Sequence, residues 1–235
     1  MEIFEECAVI NDLLQANDGT EARNRLIRLL DQHGREGIPY SPLVNHLIRE
    51  SGLFPYLDPD TSSWQDRFIF ESFKVDIGQE APVTLHSEQS LVLKHLLDGD
   101  NLAISAPTSF GKSLIIDAYI AIKKPNNVLI LVPTIALTDE TRRRLSKKFS
   151  AEYKIVTTSE VELGEKNILI FPQERAIQYC DKIEKLDLLV VDEFYKASQD
   201  FDKERSPALL KAMMKLGAKA AQKYYLAPNI SDLND

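Results

Sequence analysis

The sequence is poor in the features that mark secreted, membrane-spanning and zinc-binding proteins. Its two cysteines, Cys7 and Cys180, lie far apart in the 235-residue chain, and Met1–Glu6 lacks the basic and apolar regions of a signal peptide. No apolar run approaches the roughly 20 residues that span a bilayer. The four histidines show no metal-ligand spacing with the cysteines. We therefore expect a cytoplasmic protein in a reducing compartment, without a membrane segment or a zinc site.

Positive charge is also scarce. Lys and Arg number 28 against 36 Asp and Glu, which gives a formal net charge of -8. This balance disfavours strong non-specific attraction to nucleic acid, so any contact with a strand must be local. The shares of hydrophobic residues, 44%, and charged residues, 27%, are those of an ordinary globular protein. The chain is long enough for one α/β domain and a smaller companion.

The pattern of the chain changes near residue 80. Before that point, apolar residues recur at helical spacing, and Ser41 followed by Pro42 predicts the start of one helix. A linker is predicted around residues 76–82. The sequence thus predicts a small helical region over residues 1–80 and a second domain over residues 81–235.

After the linker, short apolar runs alternate with amphipathic stretches, which is typical of β/α units around a parallel sheet. The predicted strands are Leu102–Ser105, Val128–Val132, Lys154–Thr157, Ile168–Phe171, Leu188–Val191 and Tyr224–Ala227. The predicted helices include Ser87–Leu97, Lys112–Ile122, Leu137–Phe149 and Ser206–Leu216. We therefore expect an α/β fold with an open, mostly parallel sheet and helices on both faces.

A candidate phosphate-binding loop (P-loop) follows the first of these strands. Its residues are Ala106, Pro107, Thr108, Ser109, Phe110, Gly111, Lys112 and Ser113. A small residue and a glycine let the backbone curl so that its N–H groups and the helix N-terminus surround a phosphate. Lys112 would neutralise phosphate charge, and the Ser113 hydroxyl would ligate Mg²⁺. The alternative is a chance Gly-Lys-Ser at an ordinary turn, which the flanking strand and helix disfavour.

Two acids, Asp192 and Glu193, end the apolar run Leu188–Val191; they are called the acid pair below. Ligands of open α/β sheets bind at the carboxyl ends of the strands, the edge at which the P-loop also lies. Asp192 can hold Mg²⁺, and Glu193 can orient or deprotonate the water that attacks a γ-phosphate. Taken alone, the acid pair could simply start a solvated loop. Together with the P-loop it favours nucleotide hydrolysis.

These two motifs resemble those of superfamily 2 helicases of the DEAD/DEAH type. Ala106–Ser113 is similar to their motif I, and Asp192–Tyr195 to the DExx box of motif II. The resemblance implies an N-terminal RecA-like P-loop domain that binds ATP and Mg²⁺, with Lys112 and the acid pair as its catalytic groups. Gln89 lies where many members of this family read adenine, although an ordinary helix-surface glutamine is the alternative. The two motifs together also resemble those of bacterial helicases in antiphage defence.

Two strand-to-helix junctions resemble the nucleic-acid-binding motifs of the same family. The segment Pro133–Leu137 is similar to motif Ia, and Phe171–Arg175 to motif Ib. The resemblance implies that Pro133, Thr134 and Arg175 contact one strand of DNA or RNA, where helix N–H groups suit a phosphate. An ordinary helix cap also explains each junction taken alone.

The chain departs from the family pattern in motifs I, II and Ib. Ser109 stands where many members have a second glycine, motif II ends in Phe194 and Tyr195, and Pro172 replaces a threonine of motif Ib. The segment Tyr225–Asn229 occupies the place of motif III but matches its sequence weakly.

The family completes its ATP site with arginines from a second RecA-like domain. No arginine follows Arg205 in this sequence. We therefore expect a second RecA-like domain downstream in a longer protein, and weak or no ATP hydrolysis by these residues alone, because such arginines contribute about 10³–10⁵ in rate.

The best functional hypothesis is the first motor domain of an ATP-dependent helicase or translocase. The alternative is an adaptor or regulatory domain that binds nucleotide or partners without turnover. A GTPase is disfavoured because the guanine-reading pattern Asn-Lys-x-Asp is absent. The N-terminal helices could recruit a protein partner, although packing alone explains their apolar stripes.

Two groups of residues are interpreted as structural. Phe68, Phe70 and Phe73 precede Gln89. We expect them to pack from a helix into the hydrophobic core, rather than to stack on adenine. The basic cluster Arg142–Arg144 with Lys147–Lys148 is expected on a solvated helix face, rather than along a nucleic-acid backbone.

Overall fold

The computed structural model describes residues 3–228, which form two compact units. The first takes its described residues from Met1–Val75 and Ala81–Leu91, and the second from Asp76–Glu80 and Val92–Asp235. Each unit has its own hydrophobic core, so each is described separately.

Helices make up most of the first unit. They are α1 (Ile3–Gln15), α2 (Gly19–Glu36), α3 (Pro42–Glu50) and α4 (Trp64–Ser72), with one 3₁₀ turn at Phe54–Tyr56. Asp18, Ser41 and Ser63 cap three of the helices by accepting hydrogen bonds from backbone N–H groups of the first turn. The core consists of Cys7, Ile10, Ala22, Leu26, Leu29, Leu30, Val44, Leu47, Ile48, Leu53, Phe54 and Leu57. The predicted helical N-terminal region is confirmed.

The predicted core position of Phe68 is wrong. Ile69, Phe70 and Phe73 pack against the core of the first unit, and Asp66 is buried. These four positions recur at the i, i+3, i+4, i+7 spacing of one helix face, so Phe68 lies on the other side of α4 and is 67% exposed. The prediction holds for Phe70 and Phe73.

A short antiparallel pair flanks the predicted linker. β1 (Lys74–Val75) pairs with β2 (Val83–Thr84). Two-residue strands have too little alternation to be recognised in a sequence, which is why this pair was not predicted.

The second unit is built around a six-stranded sheet. Its strands are β3 (Leu102–Ser105), β4 (Asn127–Leu131), β5 (Lys154–Val156), β6 (Asn167–Phe171), β7 (Leu186–Val191) and β8 (Ala220–Ala227). The helices along this part of the chain are α5 (Ser87–Asp98), α6 (Lys112–Lys123), α7 (Ile135–Phe149), α8 (Gln173–Tyr179) and α9 (Ser206–Gly217). Among residues 3–228, no helix combines the length and apolar character needed to cross a bilayer.

The sheet has the order β3-β8-β7-β4-β6-β5, and every neighbouring pair is parallel. β4, β6 and β7 are almost entirely buried apolar runs and take interior places, whereas the partly exposed β3 and β5 form the edges. Because the strands are parallel, their carboxyl ends share one edge of the sheet, which is called the carboxyl edge below. The predicted α/β fold with a parallel sheet is confirmed.

Candidate functional site

The P-loop after β3 has the geometry of an anion-binding turn. Residues Thr108–Phe110 form a 3₁₀ turn, and Gly111 has a left-handed backbone with φ +78°, which favours glycine. α6 then begins at Lys112 without a side-chain cap, as expected where a phosphate takes the N–H groups of the first turn. Ser109 is not among the residues with positive φ. Its side chain therefore replaces the family's glycine without left-handed strain.

The Lys112 ammonium is folded back onto this loop. Its Nζ donates hydrogen bonds to the backbone carbonyls of Ala106, Pro107 and Ala227, the last two at 3.2 Å. Burial lowers the pKa of Lys112, and the carboxylates of the acid pair oppose that shift. A phosphate would offer this ammonium stronger, charge-assisted acceptors than the carbonyls do.

The acid pair follows the last residue of β7 at the carboxyl edge. The Asp192 N–H donates to the Leu131 carbonyl at 2.9 Å, which ties the first acid to β4. Burial raises the pKa of Asp192 and the Glu193 carboxylate adds to the rise, while the Glu193 N–H, Lys112 and Lys196 oppose it. Glu193 has φ +54°, a left-handed conformation that costs a residue other than glycine roughly 1–3 kcal/mol. Strain of this kind is often found at functional sites.

An open cavity of about 480 Å³ joins the P-loop and the acid pair. Small-molecule sites typically have roughly 300–1,000 Å³. The cavity is lined by Thr108, Gly111, Lys112, Ser113, Ile116, Ile130, Val132, Leu137, Glu140, Thr141, Arg144, Val190, Asp192, Glu193, Leu226 and Pro228. It thus brings together four of the predicted P-loop residues and both acids. The other P-loop residues, Ala106, Pro107, Ser109 and Phe110, are not among those that line it.

Gln89 belongs to the first unit, where it is buried near the start of α5. Its Oε1 accepts a hydrogen bond from the His86 N–H at 2.9 Å. This contact fixes the side chain, whereas its role in reading adenine stays a prediction.

The predicted solvated face of α7 is wrong for Arg144 and Lys148. Both pair with Asp117 of α6, whose side chain is only 2% exposed, and Lys148 Nζ lies 2.7 Å from Asp117 Oδ2. Arg144 also donates to the Ser113 carbonyl at 3.3 Å and lines the cavity. The sequence did contain a signal for a shared helix face, because four residues of α7 recur at spacings of four and three: Leu137, Thr141, Arg144 and Lys148.

The predicted strand-binding junctions follow β4 and β6, which are neighbours in the sheet with Leu131 opposite Phe171. Thr134 is exposed and caps α7, because its hydroxyl oxygen accepts a hydrogen bond from the Leu137 N–H at 3.2 Å. Pro133 is buried, so its side chain is shielded from direct contact with a strand.

Arg175 is partly buried in α8, and its guanidinium donates to the Thr157 carbonyl beyond the end of β5. The carboxyl edge therefore brings Thr134 and Arg175 onto adjacent strand ends. Their contact with nucleic acid stays a prediction.

β8 lies between the strands that carry the P-loop and the acid pair. Its end binds the P-loop directly, since the Ala106 N–H donates to the Ala227 carbonyl at 3.2 Å and the Ser105 hydroxyl to the Pro228 carbonyl at 2.8 Å. Tyr225 of β8 packs on Phe194, with ring centroids 5.8 Å apart. The predicted motif III position thus contacts both sides of the site, while Asn229 lies outside the described residues.

Two solved structures resemble part of the chain. One is the Sulfolobus solfataricus SWI2/SNF2 ATPase core in complex with dsDNA, with a TM-score of 0.49 and 17% identity over 60% of this chain and 30% of that chain. The other is the DUF1998 helicase MrfA bound to DNA and AMPPNP, with a TM-score of 0.47 and 16% identity over 66% of this chain and 25% of that chain. Both scores lie below 0.5, so the family assignment depends on sequence.

Among curated proteins, Anti-bacteriophage protein B of Escherichia coli (strain K12) is 33% identical over 222 residues. The match covers 90% of this chain, and the chain spans about 30% of the length of that relative. Residues 1–67 match the family described as Anti-bacteriophage protein B N-terminal domain. Residues 86–226 match the family described as DEAD/DEAH box helicase. Because this second match covers more than half of the sequence, the chain belongs to the DEAD/DEAH box helicase family.

Proposed function

We propose that this chain is the first motor domain of an ATP-dependent DNA or RNA helicase or translocase. It binds Mg-ATP in the cavity of the second unit and one nucleic-acid strand at the junctions after β4 and β6. We assign residues 1–80 to a helical region and residues 81–235 to the RecA-like domain. We infer that the protein is cytoplasmic. The relative and the match over residues 1–67 support a further proposal, that the protein acts in defence against bacteriophage.

One observation carries the nucleotide part of the proposal. Lys112 and the acid pair follow two strands that are not adjacent in the sheet, yet all three residues line one cavity. Membership of the DEAD/DEAH box helicase family implies ATP binding, and the cavity supplies the chemistry for it. An uncapped helix start suits the phosphates, a lysine adds positive charge, and two acidic residues line the same space.

The residues present also fit Mg²⁺. Magnesium prefers oxygen ligands and is usually held by one or two carboxylates together with substrate phosphates. Ser113 and Asp192 line the same cavity, and a hydroxyl and a carboxylate are such ligands. When bound, the metal would neutralise charge on the phosphates.

Hydrolysis requires water to attack the γ-phosphorus while the bond to the β-phosphate oxygen breaks. In our proposal Glu193 orients this water and accepts its proton, and Lys112 neutralises charge that develops on the phosphate oxygens. Lys112 must first exchange its three backbone carbonyls for phosphate oxygens. This exchange is expected to be favourable because an ionised acceptor forms the stronger hydrogen bond.

The test is a calorimetric titration of the chain with a non-hydrolysable ATP analogue and Mg²⁺. Wild type is compared with Lys112→Ala and with Lys123→Ala, which removes an exposed lysine at the other end of α6. We expect saturable binding by wild type and Lys123→Ala, and loss of binding in Lys112→Ala. Equal binding by all three proteins would falsify the assignment of Lys112.

Strand binding is tested by fluorescence anisotropy with labelled single-stranded DNA and RNA. Arg175→Ala is compared with Arg175→Lys, which keeps the charge, and with Lys185→Ala, which removes an exposed lysine just before β7, at the opposite edge of the sheet. Weaker binding in Arg175→Ala alone supports the junction as a contact. Equal weakening by Lys185→Ala would mean that general charge, rather than the carboxyl edge, attracts the strand.

The adaptor without turnover is the second candidate function. It is favoured by the internal contacts of the catalytic groups, since Lys112 binds backbone carbonyls and Glu193 pairs with Lys196. Phosphate release measured with the longest natural form of the protein, beside its Glu193→Gln variant, separates turnover from binding alone.

The proposed motor also requires a second RecA-like domain. The N-terminal helices are proposed to bind a protein partner.

A further inference from the structure

Arg205 lies at the start of α9 and contacts both predicted strand-binding junctions. Its Nε and Nη2 donate to the two carboxylate oxygens of Glu174, each at 3.0 Å, and its Nη1 donates to the Pro133 carbonyl. Its own backbone N–H donates to Asp202 at 2.9 Å. One side chain therefore joins the junction after β4 to the junction after β6, and the chain segment after the acid pair carries it.

The charges of this contact are mutually stabilised. Burial alone would raise the pKa of Glu174, but hydrogen bonds from Arg205 hold it below its ordinary value. The same hydrogen bonds raise the pKa of Arg205. The planar guanidinium fork is suited to two parallel hydrogen bonds with one carboxylate, which a lysine cannot make.

Stability does not explain this arrangement well. The side chains are 37% and 50% exposed, and ion pairs at such positions contribute little to the free energy of unfolding. Geometry offers a better explanation. Thr134 is the next residue after Pro133, and Arg175 is the next residue after Glu174. The fork thus fixes the distance between the two groups that are predicted to hold neighbouring parts of a strand.

We propose that Arg205 and Glu174 form a clamp that sets the spacing of the two nucleic-acid-binding junctions, with Arg205 as a positioning residue for strand binding. This inference rests on the proposed function, in which both junctions hold one strand. Phosphate contacts fix the register of a protein on its nucleic acid, so a changed spacing weakens binding even when the contacting residues are intact.

The competing explanation is that Arg205 contacts a phosphate itself. The two explanations predict opposite effects at Glu174. If Arg205 binds a phosphate, removal of the neighbouring negative charge strengthens binding of the strand. If Arg205 and Glu174 are a clamp, the same removal loosens the junctions and weakens it.

The experiment uses Glu174→Gln, Arg205→Lys and the control Lys203→Gln, which removes an exposed charge from the same segment. Affinity for a labelled single strand is measured by anisotropy, and affinity for the ATP analogue by calorimetry. Hydrogen exchange is followed at the first turns of α7 and α8. We expect Glu174→Gln and Arg205→Lys each to weaken strand binding by roughly fivefold or more. Both should speed exchange at these turns and leave nucleotide binding unchanged, and Lys203→Gln should match wild type.

Stronger strand binding by Glu174→Gln, or wild-type exchange rates in both clamp variants, would overturn the clamp while leaving strand binding by the junctions in place. If the wild type binds neither DNA nor RNA, strand binding by this chain is wrong, and the role of the clamp fails with it. Hydrogen exchange then still shows whether Arg205 holds the two junctions together. The failure of the inference and the failure of the proposed function therefore give different results.

Discussion

The Lys196 ammonium lies 2.6 Å from a carboxylate oxygen of Glu193, three residues earlier in the turn that follows β7. Each side chain is 32% exposed, and the contact with the Glu193 carboxylate raises the pKa of Lys196. The acid that we propose to orient the attacking water is therefore held by a cation of its own turn. A carboxylate oxygen that is held by an ammonium is less available to orient a water molecule.

We predict that Lys196→Met raises ATP hydrolysis in the absence of nucleic acid. The increase should be severalfold, well short of the roughly 10²–10⁴ that a general base contributes in full. Lys196→Arg retains the ion pair, so its rate of ATP hydrolysis should stay near that of wild type. Phosphate release by the longest natural form of the protein, at saturating Mg-ATP, is the measurement. A slower rate in Lys196→Met would mean that the lysine assists the reaction and does not restrain Glu193.

A second prediction concerns the buried charges between α6 and α7. Asp117 is almost fully buried and pairs with Arg144 and with Lys148, whose side chain is 8% exposed. Asp117→Asn leaves the Lys148 ammonium buried without a countercharge. Breaking a buried pair in this way costs roughly 3–5 kcal/mol of unfolding free energy. Urea unfolding followed by circular dichroism measures the loss.

The control is Asp139→Asn, which removes an exposed acid paired with Arg142 and Arg143 on α7. Its midpoint should stay close to wild type, because exposed pairs contribute little. If both variants lose the same free energy of unfolding, burial does not make the Asp117 pair more stabilising than an exposed pair. If neither variant loses stability, α6 and α7 pack together without the Asp117 pair.

The backbone of the second unit was largely predictable from the sequence. β3 has the predicted bounds, β6 begins one residue earlier than predicted, and β4 begins and ends one residue earlier than predicted. Buried parallel strands are continuous apolar runs, so they stand out between amphipathic helices. The P-loop and the acid pair were predictable for a related reason. Each is a contiguous segment tied to the end of a strand, and parallel strands bring such ends to one edge.

The contacts across the site were not predictable in the same way. Arg144 pairs with a residue 27 positions away, and Arg205 reaches a carboxylate 31 positions away and a carbonyl 72 positions away. Such partners depend on how the helices pack on the sheet. The spacing that places Arg144 and Lys148 on one face of α7 does not identify Asp117 as their partner. The basic residues of α7 therefore looked like a solvated face, although two of them contact Asp117.

A third prediction separates two roles of Gln89. Its side-chain oxygen accepts the His86 N–H at 2.9 Å, so Gln89→Ala removes a helix-end contact as well as an amide. Gln89→Glu retains an oxygen acceptor for that N–H and lacks the amide donor. If the amide reads adenine, Gln89→Glu should weaken binding of the ATP analogue by about 1–3 kcal/mol, the cost of one unmade hydrogen bond.

The measurement compares ATP with inosine and guanosine analogues, which differ from it at the base. Wild type should prefer the adenine nucleotide, and Gln89→Glu should lose that preference. Wild-type preference in Gln89→Glu would assign the residue to the start of α5 alone.

The last prediction is a dependence of stability on pH in the first unit. Burial lowers the pKa of His86 from its ordinary value of 6.5, and the nearby Arg23 adds to this, while Glu88 and a hydrogen bond with the Gly52 backbone oppose it. The folded chain thus binds a proton at His86 less readily than the unfolded chain does. Stability from this residue is complete above the unfolded pKa and is lost as pH falls through the lower folded value.

We expect the melting temperature of wild type to fall between about pH 7.5 and about pH 5, the range in which histidines titrate. His86→Gln cannot take up a proton, so its fall should be smaller. His95→Gln removes a half-exposed histidine of α5 and shows whether the effect is specific to His86. Differential scanning calorimetry at both pH values provides the comparison. If the melting temperatures of His86→Gln and wild type fall equally with pH, His86 takes up its proton as readily in the folded chain as in the unfolded one. Other groups then cause the loss of stability.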